Sequence, residues 1–135
     1  MSSPTRKSRG MATQAHVAAW WRANGFPYAT DAGAGRGGVD VLNLIGLACE
    51  VKARAGFNPL AWIKQAVKAA AGSLPFVVFR CNGQGEKSIG DWPVLLRLED
   101  FTTLVRAAGY GDPLTTQAEL GDRYVTLDQP TAVTA

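Results

Sequence analysis

The stretch that most constrains this chain is GVDVLNLIGLACEVKAR, residues 38–54. Two aliphatic runs, VDVLNLI and LACEVKAR, lie on either side of Gly46. Runs of this kind about a glycine predict two antiparallel strands joined by a turn. Side chains alternate along a strand. Glu50, Lys52 and Arg54 therefore point one way, and Cys49, Val51 and Ala53 point the other, toward a core. Asp40 projects opposite to Val39 and Val41. The expected connection is a three-residue loop with Gly46 in the left-handed conformation. It would set Asp40 across from Lys52 and Leu42 across from Glu50, with all three charged groups on one face. A slip of one residue would send Asp40 to the other side.

Strands lie about 4.8 Å apart, so two carboxylates on one face repel unless a cation lies between them. Oxygen ligands without histidine or thiolate suit Mg²⁺ or Mn²⁺. Such an ion polarises a phosphoryl oxygen and lowers the pKa of a bound water. An ammonium beside Glu50 would orient that water or stabilise charge on the phosphate. The set thus points to phosphodiester hydrolysis, with a cation between Asp40 and Glu50 and the Lys52 ammonium beside it. The plainer alternative is a cross-strand Asp–Lys pair on a solvated sheet face.

The rest of the chain supplies a frame for the hairpin. MATQAHVAAWWRANG predicts a helix, with Gln14, Val17, Ala18 and Trp21 on one face and Gly25 as its stop. FPYAT predicts a first strand, and DAGAGRGG a glycine-rich loop in which Asp31 is read as a turn former. NPLAWIKQAVKAAAG predicts a second helix, with Asn58 as N-cap and Pro59 in its first turn. LPFVVFR reads as a strand covered on both faces. WPVLLRL predicts a further strand and EDFTTLVRAAG a third helix. The order is α β β β α β β α, an α/β (α+β) domain with a mixed central sheet and flanking helices. Residues 1–10 are expected as a flexible basic arm, 11–110 as the folded domain, and 111–135 as a partly flexible extension.

Charge is uneven. Residues 1–80 carry ten Lys/Arg against three acids, and residues 81–135 four against eight. A basic front half suits a polyanion, nucleic acid first. Arg6, Lys7, Arg9, Arg36, Arg54, Lys64 and Lys68 are the candidate phosphate contacts, and Lys64 and Lys68 share a helix stripe. His16 is read as a helix-surface residue, and the four tryptophans as core or dimer contacts. Cys49 and Cys81 form no C-x-x-C pair, so a zinc site is not expected. No apolar stretch approaches about 18 residues, and the N-terminus lacks the apolar run of a secretory signal. A cytoplasmic protein without a membrane span is expected.

GVD…CEVKAR resembles the PD-(D/E)XK nuclease superfamily, with Val39-Asp40 where Pro-Asp is usual and Glu50-Val51-Lys52 as E-x-K. RKSRG, a helix ending in ANGF, a strand and a glycine-rich loop are similar to archaeal-type Holliday junction resolvases and small phage-encoded relatives. The resemblance spans residues 5–80. It implies a restriction-endonuclease-like αβββαβ core and Mg²⁺-dependent cleavage of DNA, usually branched, by a homodimer. It implies metal ligation by Asp40 and Glu50 and a catalytic Lys52. Two departures stand out: Gln14 occupies the place where resolvases carry a glutamate on the first helix, and the proline before Asp40 is absent. Gln65 resembles a glutamine that some members place near the site. A nicking, restriction-like or single-strand nuclease, and a DNA-binding module without catalysis, are the other readings.

Overall fold

A computed structural model describes residues 2–33, 37–53 and 56–113, with side chains from residue 10 onward. Two units divide the chain, 1–101 and 102–135, and the division falls within the last helix.

The first unit begins with helix α1, Ser2–Ala23. The basic segment expected as an arm continues this helix: residues 2–10 are helical. Pro4 sits in its first turn, where the missing N–H costs nothing, and the arginines and lysine after it are good helix formers. Val17 and Ala18 are buried along one face, with Thr13 a turn earlier. The helix stops at Gly25, whose φ is +98°.

Five strands follow: β1 (Thr30–Asp31), β2 (Val41–Leu42), β3 (Leu47–Lys52), β4 (Leu74–Phe79) and β5 (Val94–Leu95). They form one sheet in the order β1-β2-β3-β4-β5. β3 and β4 are parallel, and every other pairing is antiparallel. The first strand is displaced from the FPYAT segment. Phe26 donates its N–H to the Trp21 carbonyl and Ala29 to the Phe26 carbonyl, so this segment is a turn leaving α1. Pro27 has no N–H for a sheet ladder and suits that turn.

Between β3 and β4 runs helix α2, Pro59–Ala70. Asn58 takes the N-cap position without a side-chain hydrogen bond, and Ala71 closes the helix in the left-handed conformation. Trp62, Ala66 and Ala70 recur every four residues and are buried. After β4 the chain makes a 3-10 helix, Glu86–Asp91.

β4 is the centre of this unit. Its Phe76 and Val78 pack with Val17, Ala18, Cys49 and Val51 on the α1 side. Val77 and Phe79 pack with Trp62 and Ala66 on the α2 side. Fully burying each large apolar side chain contributes on the order of 1.5–3 kcal/mol. Two covered faces explain the unbroken apolar run of this strand. Cys49 is buried, Cys81 half-buried, and both are free thiols.

Helix α3, Leu98–Ala107, carries Glu99 and Asp100 in its first turn, where they complement the helix dipole. In the second unit the Tyr110 N–H returns to the Val105 carbonyl, and the Arg106 guanidinium donates to the Tyr110 carbonyl. Among the described residues, no helix is long and apolar enough to cross a membrane.

Candidate active site

The β2–β3 connection decides which side chains meet. Leu47 donates to the Leu44 carbonyl at 3.0 Å, closing a tight turn over Ile45 and Gly46. Gly46 has φ +81°, as the third residue of a type II turn requires. Asn43 then adopts φ +63° and acts as an extra residue on one strand, a bulge. Its amide donates to the Tyr28 carbonyl at 2.9 Å. Beyond the bulge Val41 pairs with Cys49.

This register differs from the one expected around Gly46. Continued by one position, it sets Asp40 across from Glu50, so neither Asp40–Lys52 nor Leu42–Glu50 is a facing pair. The shift is two residues along the strand and leaves the parity unchanged. The extra residue comes from Asn43, which tolerates the left-handed conformation better than most residues.

Asp40 is tied to β3 on both sides of Glu50. Its N–H donates to the Cys49 carbonyl at 2.9 Å, and its Oδ2 accepts the Val51 N–H at 2.8 Å. The carboxylate thus takes the place of a ladder carbonyl just before the start of β2.

Glu50 is only 4% exposed. Its Oε1 accepts from Gln65 Nε2 at 3.0 Å and lies 3.4 Å from Lys52 Nζ. Its Oε2 is buried without a hydrogen-bond partner. Burial pushes the Glu50 carboxyl up to about 7, and the Asp40 charge adds to this while Lys52 opposes it. The Asp40 carboxyl is close enough to hydrogen-bond protonated Glu50, which raises the value further.

Lys52 is 9% exposed and donates to Gln65 Oε1 at 2.8 Å. Gln65, on α2, therefore bridges the two charged groups of β3 through both ends of its amide.

Gln14 lies on α1, half-buried, and its Oε1 is buried without a partner. It makes no hydrogen bond to Asp40, Glu50 or Lys52. Lys64 and Lys68 are exposed on α2, and neither forms an ion pair with a described carboxylate. Asp31 belongs to β1, opposite Val41. His16 Nε2 lies 2.8 Å from Glu86 Oε1, joining α1 to the 3-10 helix. Arg36 and Arg54, and the side chains of Arg6, Lys7 and Arg9, lie outside the described residues.

Two features escaped the sequence reading. Arg80 Nη1 donates to Thr13 Oγ1 and Nε to the Gln84 carbonyl, with the guanidinium 5.2 Å from the Trp92 ring centre. Phe57 stacks on Phe79 with ring centres 5.4 Å apart. An aromatic residue just before a helix N-cap was the available signal for the second.

Among the described residues, no group of three or more His, Cys, Asp or Glu gathers to hold a metal. The arrangement offers two acidic side chains, a buried ammonium and a bridging amide on one side of a sheet. Comparisons with family models, with curated proteins and with solved structures find no match to this chain.

Proposed function

We propose that this chain is a Mg²⁺-dependent DNA endonuclease with a restriction-endonuclease-like core, acting as a homodimer on four-way junctions. The observation that carries the reading is Glu50 Oε2, buried and unpartnered beside the Asp40 carboxylate. A buried acceptor in that position calls for either a proton shared with Asp40 or a cation.

The donors fit a hard divalent ion. Both side chains offer oxygen only, and Mg²⁺ commonly takes one or two carboxylates and keeps several waters. Two acids without a third are therefore sufficient. Asp40 and Glu50 would hold the ion, Mg²⁺ or Mn²⁺, which when bound supplies Lewis-acid polarisation of a phosphoryl oxygen and a more acidic water.

The chain's own residues account for the rest. Lys52 directs positive charge at the side of the sheet where a phosphate would sit beside Glu50. Gln65 hydrogen-bonds both the ammonium and the carboxylate, bracing the 3.4 Å ion pair between them. The Val51 N–H keeps Asp40 oriented. Lys64 and Lys68 extend positive charge along α2 for the phosphate backbone.

A cleavage panel of junction, flap, linear duplex and single-stranded DNA, with and without Mg²⁺, tests the proposal. Selective cutting of the junction is expected. Equal cutting of linear duplex would replace the resolvase reading with another nuclease of the same type. Tight junction binding without any cutting would make the chain a DNA-binding module.

A further inference from the structure

Phe57 is 60% exposed, although its ring is held firmly. It stacks on Phe79 at an interplanar angle of 23° and meets Trp62 edge-on with centres 5.6 Å apart. Phe79 and Trp62 are themselves buried and lie 4.8 Å apart. The core thus fixes one face of the Phe57 ring and leaves the other to water.

Its place is specific. Phe79 pairs with Lys52 across the parallel ladder, so their side chains leave the sheet on the same face. Phe57 therefore rests on the ladder neighbour of Lys52. Along α2, Leu60, Lys64 and Lys68 form an exposed stripe on the face opposite the buried Trp62, Ala66 and Ala70, so they do not continue the Phe57 ring. An open aromatic face on the same side of the sheet as the Lys52 ammonium matches a nucleic-acid strand, in which a base stacks while a phosphate meets the cation. A paired base has both faces covered in the duplex, so such a ring suits an unpaired one.

We infer that Phe57 is a stacking platform for an unpaired nucleobase of a strand entering the Glu50–Lys52 site. This rests on the nuclease reading and narrows its substrate to DNA with an unstacked base, as at a branch point.

The test uses the full chain without divalent metal. The probes are a single-stranded oligonucleotide and a four-way junction carrying 2-aminopurine, with a fully paired duplex as control. Wild type is expected to change 2-aminopurine fluorescence. Phe57→Leu should remove that change and weaken single-strand and junction binding roughly tenfold, with duplex affinity unaltered. Phe57→Trp, which keeps the aromatic packing, should bind both branched and single-stranded probes at least as tightly as wild type. Equal affinity of wild type and Phe57→Leu for all probes would overturn the platform and leave the nuclease reading standing. A change only in sedimentation would assign the ring to contact between copies of the chain. Absence of binding to any nucleic acid would remove both readings together.

Discussion

Asp40 and Glu50 face each other across β2 and β3 because Asp40 bonds to the backbone on either side of Glu50, at Cys49 and at Val51. Asp40→Asn keeps an oxygen for the Val51 N–H and removes the charge. Its thermal unfolding should stay close to wild type, while Mg²⁺-dependent cutting falls by about two orders of magnitude or more. Unchanged cutting in a gel assay would place the chemistry elsewhere.

Glu50 titrates near 7, above its ordinary 4.5. A carboxyl raised on folding stabilises the native state in its protonated form. That contribution is full below about pH 4.5 and is lost as pH rises through 7. At most it is on the order of 3 kcal/mol. In EDTA, urea midpoints should therefore fall between pH 5 and 8. Glu50→Gln should flatten that decline, and added Mg²⁺ should restore wild-type stability at the alkaline end.

Gln65 satisfies one atom of Glu50 and one of Lys52. Gln65→Leu leaves both with one partner fewer and should cost about 1–3 kcal/mol in denaturant unfolding. Gln65→Glu should instead pair with Lys52 and crowd Glu50, moving the pH dependence of stability upward.

The parity of the hairpin depends on Asn43 at φ +63°. Asn43→Gly should be close to neutral. Asn43→Val should cost roughly 1–2 kcal/mol and reduce cleavage more than stability alone explains, because a lost bulge turns Asp40 away from Glu50. Amide exchange or chemical shifts of Val51 would show whether its bond to Asp40 survives.

Salt dependence should separate the lysines of α2 from the acids. Lys64→Ala and Lys68→Ala are each expected to lower the slope of log affinity against log salt by about one. Junction binding measured by anisotropy at several ionic strengths reads this directly.

Much of the frame was legible along the chain. The four-residue spacing of Trp62, Ala66 and Ala70 marks the buried face of α2, and the unbroken LPFVVF run marks a strand covered twice. Alternation put Glu50 and Lys52 on one side of β3, because a two-residue period is local geometry. Helix continuity through residues 2–10 was missed, since a basic segment with an early proline reads equally as an arm.

Alternation and helical spacing are properties of consecutive residues, so the order of elements and the facing of side chains along each one were already written in the chain. Distances between elements are not. The bulge at Asn43 leans on Tyr28, the amide of Gln65 reaches from α2 to two groups on β3, and the Phe57 ring rests on Phe79 and Trp62. Each joins segments far apart in sequence, and only packing against a shared core brings such groups within hydrogen-bond or ring-contact range.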